Sequence, residues 1–180
     1  ADEVVEREME VKERLERTIN AYLTNFFNFP KELSNQQKIK DMGNVFTGST
    51  PSTRITDYWD GEFPFISPSE IGISKYPNKT GRTVTKKGLL ASRKIVKGDL
   101  LVTCVGEIGR IAIANELCCS NQQMNIISPY EKEDSEYIYY LITFHKKLLE
   151  NYSTTSVVPI LIKSTFENIE LPMFTSEKRA

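Results

Sequence analysis

Apolar residues recur at Val4, Val11, Leu15, Ile19, Tyr22 and Phe26, in steps of three, four and seven, through a stretch without Gly or Pro. That spacing draws a stripe along one side of a helix and predicts a helix over 3–27. Val5, Leu23 and Phe27 flank the stripe, which broadens at its aromatic C-terminal end. The other side carries acid-before-base pairs four apart: Glu3–Arg7, Glu8–Lys12, Glu10–Arg14 and Glu13–Arg17. Each such pair adds roughly 0.2–0.5 kcal/mol to an isolated helix. The first half of the stripe is too narrow for a buried core helix and has the width of a coiled-coil seam. The expectation is one long N-terminal helix that projects from the domain and packs against another helix. A helix folded back onto its own domain is the alternative.

Pro30 disfavours helix at the residue before it, so the helix ends by Asn28-Phe29. Residues 31–38 are polar and read as a linker. From Ile39 onward the periodicity becomes that of strands, predicted at 43–47, 63–67, 93–96, 99–105, 108–114 and 122–128. The run Leu100-Leu101-Val102-Thr103-Cys104-Val105 is rich in β-formers and too short for a helix. Gly106-Glu107-Ile108-Gly109 then supplies a tight connection to Arg110-Ile111-Ala112-Ile113, which makes this pair a hairpin. Thr85 suits the N-cap of a short helix over 86–91. Asp134 or Ser135 caps a longer helix over about 136–150, and the tail 166–172 reads as a last strand closed by Pro172. The class is α+β, mostly antiparallel and β-rich, with short helices. The helical segment 1–30 forms one unit and residues 31–180 the globular domain.

Composition narrows the chemistry. The single His145 excludes multi-histidine metal sites and argues against a histidine relay. Cys104, Cys118 and Cys119 form no C-x-x-C pair, and an odd count does not suit a secreted disulfide framework, so reduced cysteines in a cytoplasmic protein are expected. No metal and no cofactor is expected. The longest apolar runs, such as Ile111-Ala112-Ile113-Ala114, fall far short of the roughly 20 residues that cross a bilayer, so no membrane association is expected. The first turns are acidic, unlike a secretory signal, and the chain opens on Ala1 rather than Met, as a fragment or trimmed chain would.

The net charge of −1 hides a sorted distribution. Residues 1–17 hold seven acids and four bases, whereas residues 71–98 hold eight bases and no acid. The bases are Lys75, Lys79, Arg82, Lys86, Lys87, Arg93, Lys94 and Lys97, the patch a polyanion would need. A solvated face is the bland alternative. Enzyme motifs are missing: there is no phosphate-binding P-loop, no G-x-G-x-x-G and no G-x-S-x-G. The acids Asp57, Asp60, Glu62, Glu70 and Glu107 are spread at ordinary density, which argues against a catalytic carboxylate pair.

Binding features are better represented. Gly48-Ser49-Thr50-Pro51-Ser52-Thr53-Arg54 is a loop of small hydroxyl residues ending in Arg. Hydroxyls and guanidinium suit phosphate oxygens, and Arg can also read guanine. Thr50, Ser52, Thr53 and Arg54, with Lys75, Lys79, Arg82, Lys86, Lys87 and Arg93, are therefore the candidate DNA contacts. Arg54, Lys79 and Arg82 are the candidates for reading base edges. Trp59, in Asp57-Tyr58-Trp59-Asp60-Gly61, reads as core in preference to a stacking platform. The amides of Asn121-Gln122-Gln123 can bind adenine edges, but a structural role at a strand end is preferred.

These motifs resemble, in order, the target recognition domain of the DNA specificity subunit of type I restriction–modification systems. The resemblance rests on Gly48-Ser49-Thr50-Pro51-Ser52, Tyr58-Trp59-Asp60-Gly61 and Phe63-Pro64-Phe65-Ile66-Ser67-Pro68. It continues through Val96-Lys97-Gly98-Asp99-Leu100-Leu101, Gly106-Glu107-Ile108-Gly109, Asn121-Gln122-Gln123 and Ile169-Glu170-Leu171-Pro172. It covers about residues 38–172, and the 3–27 segment is similar to the family's conserved spacer helix. The resemblance implies a non-catalytic subunit that reads one half of a split double-stranded DNA target through the major groove. It also implies docking of methyltransferase (modification) subunits and, through them, the restriction subunit. Family members usually hold two recognition domains and two spacer helices, whereas this chain holds one of each, as a half-length subunit or a fragment would. A homodimer through 4–27 would restore the two-domain layout and imply a palindromic split target. A protein–protein adaptor using the helix and the basic face is the second reading.

The stripe yields a direct test. Leu15→Asp puts a charge into the seam and is expected to reduce the assembled mass in light scattering while the domain keeps its melting transition. An unchanged mass would count against the seam.

Overall fold

The computed structural model describes residues 6, 7, 10, 11, 13–15, 17, 18, 21, 22, 24, 34–72, 74–77 and 80–174. Its contacts divide the chain into two units, Ala1–Asn35 with Phe174–Ala180, and Gln36–Met173. In the first unit every described residue between 6 and 24 is helical. Arg17 pairs with Glu13 one turn earlier at 3.3 Å, as the i,i+4 pattern predicts. Of the expected seam, Val11, Leu15 and Tyr22 are exposed, and Val4, Ile19 and Phe26 lie outside the described residues.

The strands are β1 (Ser34–Lys38), β2 (Gly43–Thr47), β3 (Trp59–Ile66), β4 (Thr83–Val84), β5 (Leu100–Thr103), β6 (Ile111–Ile113), β7 (Cys119–Ser120), β8 (Met124–Pro129) and β9 (Glu170–Phe174). They sort into three sheets, ordered β2-β8-β5-β6, β4-β3-β7 and β1-β9. In the two larger sheets every pairing is antiparallel except the short parallel contact of β3 with β7. Both sheet types agree with an α+β chain in which hairpins dominate.

The four-stranded sheet is apolar on both faces. Leu100, Leu101, Val102, Ile111, Ala112 and Ile113 are all buried, which is why β5 and β6 read as unbroken apolar runs rather than as alternation. Leu101 stands opposite both Ala112 and Ile126 and belongs to a cluster with Met124, Ile66, Ile71, Ile95, Ala114 and Cys118. The alternation of side chains sends Leu100, Val102, Ile111, Ile113, Asn125 and Ile127 to the other face. The helix Ser135–Phe144 packs on β6 with Ile138, Leu141 and Ile142 buried, the i, i+3, i+4 set of an amphipathic helix.

Two buried polar side chains lock this arrangement. Asn125 in β8 is fully buried; its amide donates to the Leu161 carbonyl at 3.2 Å and accepts the Thr47 hydroxyl of β2 at 3.1 Å. Asp99, at the foot of β5, accepts the Val96 N–H at 2.9 Å and the Lys132 ammonium at 2.6 Å. The β5–β6 hairpin turns through Gly106 and Gly109, with φ of 75° and 80°, where a side chain would strain the backbone. Asp60, at φ 59°, adopts the same left-handed conformation inside β3. There the register jumps, with Trp59 and Phe63 both opposite Val84, so 60–62 form a bulge that sets Trp59 apart from the regular strand.

Several expectations are corrected. The linker 31–38 contains strand β1, whose polar residues form a strand because β9 supplies their backbone partners. Ile39–Met42 is a helical turn rather than the start of strand structure, tied by Ile39 N–H to the Ile169 carbonyl at 3.1 Å. The strand expected at 93–96 is a single bridge, Ile95 to Cys118; Arg93 and Lys94 beside it are exposed and the chain turns at Gly98. The helix over 136–150 is two helices, Ser135–Phe144 and Lys146–Asn151, broken at His145. Asp134 makes no side-chain cap; the Ser135 hydroxyl donates instead to the Gly98 and Lys132 carbonyls. The last strand begins at Glu170, after the helical turn Lys163–Phe166, and passes through Pro172. Proline is tolerated there because a strand of a two-stranded sheet has one edge that needs no donor.

Asn125→Leu keeps the branched shape of the side chain and removes both amide bonds, leaving the Leu161 carbonyl without its donor and the Thr47 hydroxyl without its acceptor. A loss of about 1–3 kcal/mol is expected in urea unfolding, and no loss would show that the amide is dispensable for the fold.

Candidate nucleic-acid interface

The hydroxyl loop leaves β2 at Gly48, whose N–H donates to the Met124 carbonyl at 3.0 Å. A Cβ at Gly48 would lie 2.2 Å from the Asn121 carbonyl oxygen and 2.3 Å from the Ser120 hydroxyl, so only glycine allows the two segments to pass this closely. Beyond it, Pro51 is buried while Ser52, Thr53 and Arg54 are exposed. Thr50 donates its hydroxyl to the Gln122 side-chain oxygen at 2.8 Å. Asn121 and Gln123 satisfy one another, with Gln123 N–H on the Asn121 side-chain oxygen at 3.0 Å and the Asn121 amide on the Gln123 side chain at 3.3 Å. These two amides are thus bonded to one another, whereas Gln122 joins the hydroxyl loop. The sequence places 50 and 122 far apart; the β2–β8 register makes them neighbours.

Arg93 comes to the same loop. Its N–H donates to the Ser49 hydroxyl and one guanidinium nitrogen donates to the Thr47 carbonyl, both at 2.7 Å. Trp59 joins from β3: its indole N–H donates to the Ser52 carbonyl at 3.2 Å. The Arg82 guanidinium lies over the Trp59 ring, 3.8 Å from its centroid. Trp59 is half-buried and packs against the core cluster of Phe65, Val84, Leu89 and Cys119, in line with the core reading, while the Arg82 guanidinium lies over its ring. Its place beside a basic loop is the one signal that could have found it.

Thr85 caps the helix Lys86–Leu90 as the sequence predicts, accepting the Gly88 N–H at 3.2 Å and donating to the Asp57 carbonyl at 2.6 Å. Lys86 on that helix is exposed. Lys87 pairs with Asp57 at 3.0 Å, an exposed pair of the kind worth under about 1 kcal/mol, so its charge remains open to a ligand. Lys75 is diverted elsewhere. It pairs with Glu136 at 3.0 Å and lies within 5.1–5.8 Å of the Tyr76, Tyr139 and Tyr140 ring centroids. Hydrogen bonds from the Tyr76 hydroxyl and from Lys75 hold the Glu136 carboxyl below its ordinary range. Lys79 lies outside the described residues.

The structure therefore brings together Thr50, Ser52, Trp59, Arg82, Arg93 and Gln122 through shared bonds, and sets Lys75 apart. This grouping offers hydroxyls, amides and guanidinium groups, the donors that phosphate oxygens and base edges accept. The cysteines offer little nucleophilic chemistry: burial pushes the Cys104 thiol up to about 11, and raises Cys118 and Cys119 as well. Among the described residues no group of three His, Cys, Asp or Glu side chains could hold a metal ion. No helix among them is long and apolar enough to cross a membrane.

Comparison with known proteins points one way. Residues 31–175 match the family model for the type I restriction modification DNA specificity domain. The chain is 35% identical over 164 residues to the type I restriction enzyme MjaIX specificity subunit of Methanocaldococcus jannaschii, covering 87% of this chain and 37% of that subunit. It is 24% identical over 138 residues to the HindI specificity subunit of Haemophilus influenzae, covering 74% of this chain and 30% of the relative. This chain thus spans about a third of the length of these curated relatives. The HsdS subunit from Thermoanaerobacter tengcongensis superposes with a TM-score of 0.66 at 15% identity, over 98% of this chain and 43% of that one. A chain from a study of complex assembly and conformational transition in the type I R-M system superposes at 0.73 with 16% identity, over 98% and 44%. At such identities the likeness concerns the fold, and the fold agrees with the sequence match: this chain belongs to the type I restriction modification DNA specificity domain family, as a single target recognition domain.

Proposed function

We propose that this chain binds double-stranded DNA sequence-specifically, as a half-length specificity subunit or a fragment of one in a type I restriction–modification complex. The observation that carries this reading is that Gln122, Arg93 and Trp59 each hydrogen-bond the hydroxyl loop, at Thr50, Ser49 and Ser52, and that Arg82 lies over Trp59. In it, Lys86, Lys87 and Arg93 neutralise phosphates, Arg54, Lys79 and Arg82 read base edges, and Ser52 and Thr53 offer hydroxyls beside them while Thr50 holds Gln122 in place. Base edges are read in the major groove from the same loops, whose backbones are fixed by the β-sheets. The chain itself catalyses nothing. It directs methyltransferase subunits and, through them, the restriction subunit to the target. Residues 1–30 act as a spacer helix whose stripe, Val4 to Phe26, packs against a second spacer helix. That second helix comes from another copy of the chain or from the other half of a longer subunit, and residues 31–180 do the reading.

Fluorescence anisotropy against a random pool of duplex DNA tests the reading. Affinity is expected to fall with salt, with a log–log slope of about −3 if three phosphates are neutralised. Lys86→Ala should reduce that slope by about one, and Lys75→Ala should leave it unchanged because Lys75 is held by Glu136. Absence of salt-sensitive binding would favour the adaptor reading.

A further inference from the structure

The cations of the basic stretch differ in what orients them. Lys75 is paired with Glu136, Lys87 with Asp57, and Arg93 donates to the Thr47 carbonyl. Arg82 is exposed and, among the described residues, has no acid in ion-pair range, yet it is held in place from two sides. Its backbone carbonyl accepts the Phe65 N–H at 3.1 Å and the Thr80 hydroxyl at 2.7 Å, one residue before β4. Its guanidinium lies 3.8 Å from the Trp59 centroid and 5.4 Å from that of Phe65. Trp59 is itself fixed, by its N–H on the Ser52 carbonyl and by an edge-to-face contact with buried Phe65 at 5.2 Å and 69°.

A guanidinium held over an aromatic ring is restrained in position, while its N–H groups not aimed at the ring stay available. A phosphate also accepts a guanidinium fork, but its oxygens can be met from many directions and by an unrestrained lysine as well. A planar pair of acceptors asks for a planar fork held in one orientation. In the major groove guanine presents such a pair, O6 and N7. We propose that Arg82 reads a guanine in the DNA half-site and that Trp59 is its positioning residue. This rests on the DNA-binding reading above and adds to it one base and one residue pair.

The test is selection of bound sequences from a random duplex pool by the full chain, compared with R82K, R82A, W59F and W59L after each is shown to melt cooperatively. The wild type should enrich a site with one required guanine. R82A should lose roughly 5- to 150-fold of the preference for that guanine, and R82K should retain the salt slope but lose part of the preference, since its ammonium can still donate to O6 or N7 without a fixed fork. Replacing the guanine by 7-deazaguanine should weaken the wild type and leave R82A unaffected. W59L should shift towards R82K, and W59F, which keeps a ring face, should restore most of the preference. An intact guanine preference in R82K and R82A overturns the assignment. So does a uniform weakening across all sequences with the slope of R82A reduced by about one, the mark of a phosphate contact. A wild-type preference in W59L overturns the positioning role. If the wild type enriches no sequence, the DNA-binding reading fails, and this inference with it.

Discussion

The register of β8 is the constraint on which the rest depends. This strand lies between β2 and β5 with nearly every residue buried, and a slip of one position would exchange its two faces. Asn125 makes such a slip costly, because its amide must find both Thr47 and the Leu161 carbonyl. An apolar residue at 125 would leave neighbouring registers closer in energy. Once the register is set, the chain entering β8 must pass beside the chain leaving β2. Gln122 then meets Thr50, and Gly48 fits beneath Asn121. The candidate interface thus follows from strand pairing in the core and needs no separate folding event.

Charge adds a second layer. The sequence concentrates its bases between 71 and 98, but the structure gives them different tasks. Lys75 is neutralised by Glu136 and enclosed by tyrosines, and Lys87 faces Asp57. Arg82 and Arg93 are oriented by a ring and a carbonyl instead of an acid. A surface that must distinguish among sequences gains from cations held in direction, whereas mobile cations contribute affinity without discrimination.

Much of the fold was legible because its signals are local. The run Gly43–Thr47, the hairpin through Gly106 and Gly109, and the Thr85 cap each depend on residues within a few positions. The misplaced elements depend on distant partners. β1 is polar and exists because β9 pairs with it, and the bridge at Ile95 stays a bridge because Cys118 is its only partner residue. The same division runs through the candidate site. The hydroxyl loop and the basic stretch stand out in composition, but nothing near Lys75 in sequence indicates that Glu136 captures it. The bulge at Asp60, which brings Trp59 under Arg82, leaves only the faint trace of Asp-Gly after Trp.

The loop that begins at Gly48 separates two kinds of duty within seven residues. Gly48 and Pro51 are buried and tied into the sheet frame, while Ser52, Thr53 and Arg54 are exposed. Exchanging the exposed three changes the groups the surface presents without touching the side chains that hold it in shape. Substitutions there are usually worth less than about 0.5 kcal/mol in stability. Such a loop is free to diversify under selection: new sets of surface groups can be sampled one residue at a time, on a scaffold that does not have to be re-evolved for each of them.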